Sequence, residues 1–565
     1  MRNVQVFYTG QLTANIQWRF EVLNAHNIFI SFLEDGRTPT VNAKWINIIK
    51  QCLAAASGHV TVQDHISAYT SLLLDITEPV NEQTIAQLQE ALNQWVIIDR
   101  AIDESDILEV PVLYDEAVGL DLAEIALQNN LSTEEIIRLH TEETYRVYAL
   151  GFSPGFAFMG QVNERLRLTR RSTPRQKVPQ GAVAIAENQT AIYPNESPGG
   201  WHVLGRCPIK LFDSDKQPPN MFKVGQRVKF KPVDKDCYLG LLVDNKEVPD
   251  ALAPCIKSKD ISILKASGLA IIIDKGRQAA QQEGLSESGP MDANAFRWAN
   301  QLLGNNINAP MIEVTMGGLS LQVNCDTVFS LTGADLNAEL EQVNGRRKAL
   351  SSWLSYRVQQ GEAIHLNHFK QQGLRAYIAF QGGLTFSYQP LFDSYSTVVR
   401  EALGGHRNNG SVLQKGDGLC IDHHDDTKEK KIKLAHYLKA TPYRYRSVNN
   451  NNDVLRLKLT LAYQAELFSA CALQCFLQQT YEISQLIDRM AYRLIAHDKI
   501  AVPKQGISSE GIALGSVQIT PDGEPIVLMR DRQTIGGYPK IAVLTEDSVN
   551  ALAQAVPGQH VEFYC

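Results

Sequence analysis

The chain has 565 residues, which at about 150 residues per domain predicts three to four domains. Hydrophobic residues make up 44% of the chain and charged residues 20%, as in ordinary globular proteins. The 54 Lys and Arg residues are outnumbered by 61 Asp and Glu residues, and the net charge is −7. This balance excludes the positive excess typical of nucleic-acid-binding proteins, but it allows a small anionic substrate.

The segment up to residue 95 predicts a small α+β domain. Residues 28–33 and 68–74 are apolar runs of strand length. Residues 44–56 and 81–95 place apolar side chains at helical spacing, and Asn81 can cap the second of these helices.

Two further helices are predicted before the character of the sequence changes. They cover residues 121–129 and 133–146, and Ser132 or Thr133 can cap the second. After Gly151, short β-rich runs alternate with clusters of Gly, Pro, Asn and Asp, which favours barrels or sandwiches.

A Gly turn followed by an alternating strand occurs four times. We interpret the copies at residues 224–230, 415–421 and 557–563 as closing strands of three β-rich units, while the copy at residues 360–366 lies inside a unit. The alternative is a common hairpin turn that recurs by chance.

The sequence predicts no metal site and no membrane span. None of the nine cysteines belongs to a C-x-x-C pair, which indicates free thiols in a reducing compartment. His423 and His424 lie in a charge-rich connector, residues 422–433, where neighbouring histidines are most often solvated. No apolar run approaches the ~18 residues of a membrane span, and no signal peptide is evident, so we expect a cytoplasmic protein.

Three Gly-rich loops of the first half contain functional groups. Residues 151–160 form an aromatic loop suited to gripping a small ligand, or a plug at a barrel end. Residues 171–181 contain cations that can clamp an anion, or form an exposed basic hairpin. Residues 193–202 offer a base, a hydroxyl group and exposed amides. The candidates in these loops are Phe152, Gly155, Arg175, Lys177, Glu196, Ser197, Gly199 and Gly200.

The second half has counterparts in residues 284–292, 332–338 and 531–540. Their candidates are Ser288, Asp292, Asp335, Arg532, Gln533, Gly536, Gly537 and Lys540. We predict that these loops face a shared groove between two barrels, with Arg532 and Lys540 opposite Asp335 or Asp292. The alternative is that each loop caps its own barrel.

Taken together, the loops resemble two protein families. Residues 151–213 resemble allophanate-hydrolase-subunit-1-like (KipI) proteins through GFSPGF at 151–156, TPR at 173–175, VPQG at 178–181 and IYPNESPGGW at 192–201. Residues from 268 onward resemble subunit-2-like (KipA) proteins through DKGR at 274–277, SGPMD at 288–292, EVTMGG at 313–318, GADL at 333–336 and residues 533–540. The chain therefore resembles a fusion of the two.

The resemblance implies a fold and a domain order. The fold is an α+β N-terminal domain followed by mainly-β, cyclophilin-like barrels. The expected division is an α+β domain at 1–95, a barrel at 96–232, a linker at 233–265, and two further barrels at 266–430 and 431–565.

The resemblance also implies the B and C subunits of an ATP-dependent 5-oxoprolinase, which opens 5-oxo-L-proline to L-glutamate with a separate LamB/YcsF-type A subunit. ATP, with Mg²⁺, is the expected co-substrate, and the chain has no G-x-x-x-x-G-K-[ST] motif. Glu196, Asp335 and Lys540 are the expected catalytic residues, and the other candidates are expected to bind substrate or nucleotide.

Two other functions stay open from the sequence. The same modules form the carboxyltransferase part of urea carboxylase, which implies biotin carried on another protein. Some members of these families are kinase inhibitors, which implies a regulatory binding module.

Overall fold

The structure is a computed structural model that describes residues 6–35, 37–38, 41–98, 107–244, 259–368, 373–423, 454–503 and 507–565. Within these ranges the fold is mainly β, as predicted. No helix in them is both long enough and apolar enough to span a bilayer. Residues 6–244 are called the first half below, and residues 259–565 the second half.

The chain begins with five antiparallel strands and two helices that share a hydrophobic core. Trp18 and Phe20 of the sheet pack with Trp45 of the first helix and Leu88 of the second. Asn81 caps the second helix through a capping box with Thr84, as the sequence predicts. The elements are β1 (Tyr8–Gln11), β2 (Ile16–Val22), β3 (Asn27–Glu34), α1 (Ala43–Ser57), β4 (Val62–Ala68), β5 (Ser71–Ile76) and α2 (Glu82–Gln94).

One strand prediction in this region is wrong. Residues 68–74 do not form one strand, because the chain reverses at Tyr69 and Thr70 between β4 and β5. Tyr69 has a φ of 54° and is buried, so an apolar residue occupies a turn position that pattern analysis assigns to Gly or Asn.

The remainder of the first half extends the same sheet. Its strands follow in the order β1-β2-β3-β5-β4-β7-β8-β11-β10-β13, and β14 pairs with both β6 and β7. The elements are β6 (Leu108–Val112), α3 (Leu122–Asn129), α4 (Thr133–Glu142), β7 (Tyr145–Leu150), β8 (Ala157–Gly160), β9 (Arg175–Val178), β10 (Ala182–Ala186), β11 (Gln189–Ile192), β12 (Ser197–Gly199), β13 (His202–Arg206), β14 (Arg227–Pro232) and α5 (Lys235–Asp244).

Ser132 caps α4 as predicted, but this helix is shorter than the sequence suggests. It ends at Glu142, and Tyr145 and Arg146 already belong to β7. The two strands β9 and β12 leave the main sheet and form a separate two-stranded ribbon.

The second half starts with two sheets that enclose a hydrophobic core. One has the order β21-β20-β23-β18-β15-β26-β25 and the other β16-β17-β24-β19-β22, and α6 covers the latter. The elements are β15 (Ile261–Ala266), β16 (Leu269–Ile273), α6 (Ala293–Leu303), β17 (Met311–Thr315), β18 (Gly317–Val323), β19 (Thr327–Gly333), β20 (Glu339–Glu341), β21 (Arg347–Ala349), β22 (Leu354–Val358), β23 (Ala363–His368), β24 (Arg375–Phe380), β25 (Leu384–Thr385) and β26 (Gly418–Ile421).

The chain ends in a closed seven-stranded barrel, in the order β27-β34-β31-β32-β29-β28-β35. β35 closes it by pairing with β27 and β28, as predicted for the last copy of the repeated pattern. The elements are β27 (Leu455–Leu461), α7 (Ala470–Gln478), β28 (Tyr481–Ile487), β29 (Ala491–Ala496), β30 (Glu510–Gly511), β31 (Ser516–Ile519), β32 (Pro525–Leu528), β33 (Ile535–Gly536), β34 (Lys540–Leu544), α8 (Glu546–Ala553) and β35 (His560–Tyr564).

The two halves share one hydrophobic cluster, which we call the joint cluster. It contains Leu73, Tyr148 and Phe156 of the first half and Tyr463 and Ile535 of the second. The Phe29 and Tyr463 rings meet across the boundary with centroids 5.1 Å apart. The two halves are therefore held in a fixed position where they meet around this cluster, and we call that boundary the junction.

Candidate functional site

The ribbon of β9 and β12 brings together several candidates of the first half. Ser197 pairs with Val178 and Gly199 with Arg175 along the ribbon. Lys177 Nζ lies 3.1 Å from Glu196 Oε1, and both side chains are largely exposed. This Lys177–Glu196 pair is open to a ligand or to a partner surface.

Arg175 is not available as an anion clamp, contrary to the prediction. Its guanidinium donates to both carboxylate oxygens of Asp121, at 2.8 and 2.9 Å. Arg171 donates to the same buried carboxylate at 2.6 Å, and the Val203 amide donates at 2.7 Å. Asp121 was not a candidate in the sequence, because its partners lie 50 residues or more further along the chain.

Of the two glycines beside the ribbon, Gly199 has a packing role. A Cβ on Gly199 would overlap the Tyr193 side chain, and the carbonyl of Gly200 accepts a 2.8 Å hydrogen bond from the Arg171 amide. Packing against Tyr193 therefore explains Gly199, whereas a Cβ on Gly200 would meet no atom closer than 3.8 Å, so the use of the Gly200 amide for an oxyanion stays a prediction.

The aromatic loop at 151–160 lies at the junction. Arg400 of the second half donates a 2.7 Å hydrogen bond to the Phe152 carbonyl. A Cβ on Gly151 would overlap Thr534, and a Cβ on Gly155 would lie 3.1 Å from Leu211. The loop therefore connects the halves, and its glycines allow close approach.

A cluster of charged groups lies beside this loop. Arg532 Nη1 is 3.5 Å and Arg530 Nη1 3.3 Å from the carboxylate of Glu287, and Arg532 also donates to the Gln281 side chain at 3.0 Å. From the first half, Asp64 accepts a 2.9 Å hydrogen bond from the Gln281 amide. Burial raises the pKa of Asp64 to about 6. The hydrogen bond from the Gln281 amide opposes this shift.

Asp75 belongs to the same charged cluster. Burial raises its pKa to about 8, with further increases from the negative charges of Glu287 and Asp64. Arg532 and Arg530 oppose this shift. Two carboxyls of the first half thus face charged groups of the second.

A second ionic network lies deep in the second half. Arg489 donates to Asp531 at 2.9 Å, to the Gly289 carbonyl at 2.6 Å, and also to Glu313. Ser288, a predicted ligand-binding residue, is fully buried beside Arg489. The network joins the barrel to β17, so its role is to hold these parts together.

Asp292 is also a structural residue. Its carboxylate caps α6 by accepting from the Ala295 amide at 3.1 Å and accepts from the Gln554 amide group at 2.9 Å. Asp335 is exposed and accepts from the Asn337 amide at 2.9 Å within its own turn. The predicted pairing of Arg532 and Lys540 with Asp335 or Asp292 is therefore wrong, because Arg532 pairs with Glu287.

Lys540 is a buried cation in the barrel. Its ammonium is fully buried 3.5 Å from Glu510 and lies 5.1 Å above the Tyr463 ring. Burial lowers the pKa of Lys540 and raises that of Glu510, while each partner opposes the shift of the other. Because both are displaced toward their neutral forms, the pair is suited to exchanging a proton.

The remaining candidates surround this pair. Lys540 Nζ lies 3.5 Å from the Gly536 carbonyl, and Gly536 packs against the side chains of Gln533 and Gln518. Gly537 approaches Ser509. Glu510 and Gln464, which the sequence analysis missed, complete the group, since Gln464 donates to Glu510 and accepts from the Lys540 amide at 2.8 Å.

A cavity of about 210 Å³ opens beside the junction. Apolar side chains of α1 form one wall, and residues of β4, β7 and the 281–284 segment of the second half form the others. Its ionisable and hydroxyl groups belong to Lys50, His65, Ser67, Tyr69, Tyr148, Lys223 and Glu283. Burial lowers the pKa of His65, so a neutral imidazole faces a space that two lysines border.

The chain belongs to the carboxyltransferase-domain family, whose two models match most of its length. The family model for subdomains A and B matches residues 283–565, and the model for subdomains C and D matches residues 18–222.

Particular relatives divide the chain in the same way. The B subunit of 5-oxoprolinase from Bacillus subtilis is 37% identical over 188 residues, which cover 33% of this chain and 77% of that protein. The C subunit of 5-oxoprolinase from Escherichia coli is 30% identical over 310 residues, which cover 54% of this chain and 90% of that protein. The predicted resemblance to a fusion of these two kinds of protein is confirmed.

One solved structure matches almost the whole chain. The crystal structure of TTHA0988 has a TM-score of 0.78 and 28% sequence identity, and the match covers 96% of this chain and 100% of that one. The arrangement of both halves in one chain therefore has a close structural counterpart.

Proposed function

We propose that the chain provides the fused B and C subunits of an ATP-dependent 5-oxoprolinase, which hydrolyses 5-oxo-L-proline to L-glutamate with a separate LamB/YcsF-type A subunit. The observation behind this proposal is that one chain matches a B-type protein over 77% and a C-type protein over 90% of their lengths. The proposed setting is cytoplasmic, and the proposed barrel type is cyclophilin-like.

The reaction defines which groups are needed. A lactam carbonyl is a poor electrophile, and transfer of the γ-phosphoryl group of ATP to its oxygen activates the ring carbon. Water adds to that carbon, the C–N bond breaks as the ring nitrogen takes up a proton, and a second water hydrolyses the resulting acyl phosphate to L-glutamate and phosphate. Such a step requires cations near the phosphate, a proton acceptor for the attacking water and a site that orients the lactam.

The Lys540–Glu510 pair is the proposed proton-handling group. Its support is complete burial of the ammonium together with opposed pKa shifts in the two partners. Buried pairs with such shifts are common at catalytic sites.

The junction cavity is the proposed lactam site. Lys50 and Lys223 offer positive charge for the substrate carboxylate, and His65 and Ser67 offer hydrogen bonds to the lactam. The apolar wall on α1 suits the ring methylenes, and about 210 Å³ suits a small ligand.

Glu196 and Asp335 are both exposed, so their proposed catalytic roles require a second protein surface that shields them from solvent. A partner protein would supply that cover. We propose that the exposed Lys177–Glu196 pair would hold ATP and Mg²⁺, since an ammonium group would bind phosphate and a carboxylate would bind the metal.

The direct experiment is reconstitution of the purified chain with a LamB/YcsF-type protein. We expect release of glutamate and ADP from 5-oxoproline and ATP only when both proteins are present, and little turnover by this chain alone. Steady glutamate release by the chain alone would contradict the need for a partner, and no release by the mixture would contradict the function.

A biotin-dependent carboxyltransferase is the second candidate, favoured by the carboxyltransferase description of both family models. It would require biotin on a separate carrier protein. Transfer of a carboxyl group from carboxybiotin to urea by the chain, without ATP, would support this candidate against the first.

A further inference from the structure

Three side chains with different donor atoms meet at one end of the seven-stranded sheet in the second half. Asp260 precedes β15, Cys325 lies in the turn between β18 and β19, and His423 follows β26. Their donor oxygen, sulfur and nitrogen atoms all lie within 4.8 Å of one another. β18, β15 and β26 are neighbours in the sheet, so the fold itself brings the three donors together.

The surrounding hydrogen bonds orient two of the three donors. The Asp260 carboxylate accepts a 2.9 Å hydrogen bond from the Ile421 amide, in the strand that leads to His423. The Asn324 amide donates to the Asp260 carbonyl at 2.8 Å, and its side chain donates to the Lys259 carbonyl at 2.6 Å. These contacts hold the Cys325 turn beside Asp260, as outer contacts do around metal ligands.

We propose that Asp260, Cys325 and His423 bind a zinc ion, with solvent as the fourth ligand. A thiolate, an imidazole and a carboxylate together form a typical zinc donor set, whereas Mg²⁺ and Ca²⁺ take oxygen ligands. In the structure His423 Nε2 lies 3.2 Å from Asp260 Oδ2. A simple His–Asp hydrogen bond explains that distance, but it gives no role to the nearby sulfur of Cys325.

The ion would fasten the ends of three adjacent strands. Because binding to the folded state alone shifts the folding equilibrium, zinc should raise the melting temperature of the full-length chain.

The test uses Co²⁺ alone as a probe on the full-length protein after treatment with a chelator. We expect one equivalent of Co²⁺ to produce the near-ultraviolet absorption of a thiolate–cobalt bond. Cys325→Ser should abolish this band, and His423→Gln and Asp260→Asn should each weaken Co²⁺ binding by at least about tenfold. Cys471→Ser is the matched control, since Cys471 is an exposed thiol on α7, and the band should remain.

The variants also need a check of folding. His423 is exposed, so His423→Gln should give the same metal-free melting temperature as the unaltered chain and still lose affinity. Absence of the thiolate–cobalt band from the unaltered protein would overturn the proposal. A band that persists in Cys325→Ser, or that disappears only in Cys420→Ser, would overturn it as well.

Discussion

Glu196 has the surroundings of a surface ion pair, and its catalytic role can be separated from any structural role. Glu142 on α4 is a matched control, because it is similarly exposed and also forms an ion pair, with Arg138 at 2.6 Å. Exposed pairs contribute about 0–1 kcal/mol, so Glu196→Gln and Glu142→Gln should both leave the melting temperature nearly unchanged.

In the complex reconstituted with the LamB/YcsF-type protein, we expect Glu196→Gln to abolish glutamate release and Glu142→Gln to preserve it. The measurement is the steady-state rate at saturating ATP. Equal rates for the two variants would show that Glu196 is an exposed residue without a catalytic role.

The buried Lys540–Glu510 pair leads to a prediction of a different kind. Lys540→Met leaves Glu510 buried without its cation, which should cost about 3 kcal/mol or more of unfolding free energy. Adding Glu510→Gln removes the stranded carboxyl, so the double variant should regain most of that stability.

Turnover should not return with stability. If the pair transfers a proton, the single and double variants are both inactive in the reconstituted complex. Recovery of activity in the double variant, measured beside its urea denaturation midpoint, would show that the pair is only structural.

Gly284 ends the 281–283 turn with a φ of 75°, at the element that touches the aromatic loop. A Cβ there would lie 2.8 Å from the Gly151 amide nitrogen. Gly558 has a similar φ of 85° but open space around it, so Gly558→Ala measures backbone strain alone.

We expect Gly284→Ala to lower the unfolding free energy by at least ~1 kcal/mol more than Gly558→Ala, because it adds a clash at the junction. Denaturation of both variants by urea gives the comparison. Equal losses would mean that the junction yields to the added methyl group without cost.

Elements with local signals were predictable from the sequence, and those decided by tertiary packing were not. The caps at Asn81 and Ser132 lie within three residues of the amides they bind, so sequence spacing reveals them. The turn at Tyr69 has no such local signal. Tyr is a residue that favours strands, and it occupies this turn because its side chain is buried in the joint cluster.

The same distinction applies to the site. The Gly-rich loops were identifiable by composition, but the residues that they contact were not. Arg489, for example, contacts the loop at 284–292 through the Gly289 carbonyl, although the two residues are 200 positions apart. Glu510 and Gln464 give no local signal either. Sequence composition points to loops rich in Gly and charged groups, but only the fold decides which of those groups meet.

At the scale of the whole molecule, the junction should make stability depend on pH. The carboxyls of Asp64 and Asp75 have pKa values of about 6 and about 8 in the folded protein, against about 3.9 in an unfolded chain. Between these values the folded state binds more protons than the unfolded state. The contribution of these two groups to the free energy of unfolding should therefore be fully present at and below about pH 4, and should be lost as pH rises to about 8.

Asp75→Asn should flatten the upper part of this dependence, between about pH 6 and pH 8, because the substituted side chain does not ionise. Urea denaturation midpoints across that range provide the measurement. Asp335→Asn, at an exposed position, serves as the control. An unchanged slope in Asp75→Asn would mean that other groups determine the pH response.

The joint cluster also changes how the molecule responds to dilution. When a B-type and a C-type protein are separate chains, the fraction that is assembled depends on their concentrations. Here Tyr148 and Tyr463 reach the same cluster within one polypeptide, so the encounter between halves is intramolecular. Equal amounts of both halves are guaranteed by translation, and the pairing survives at any protein concentration at which the chain stays folded.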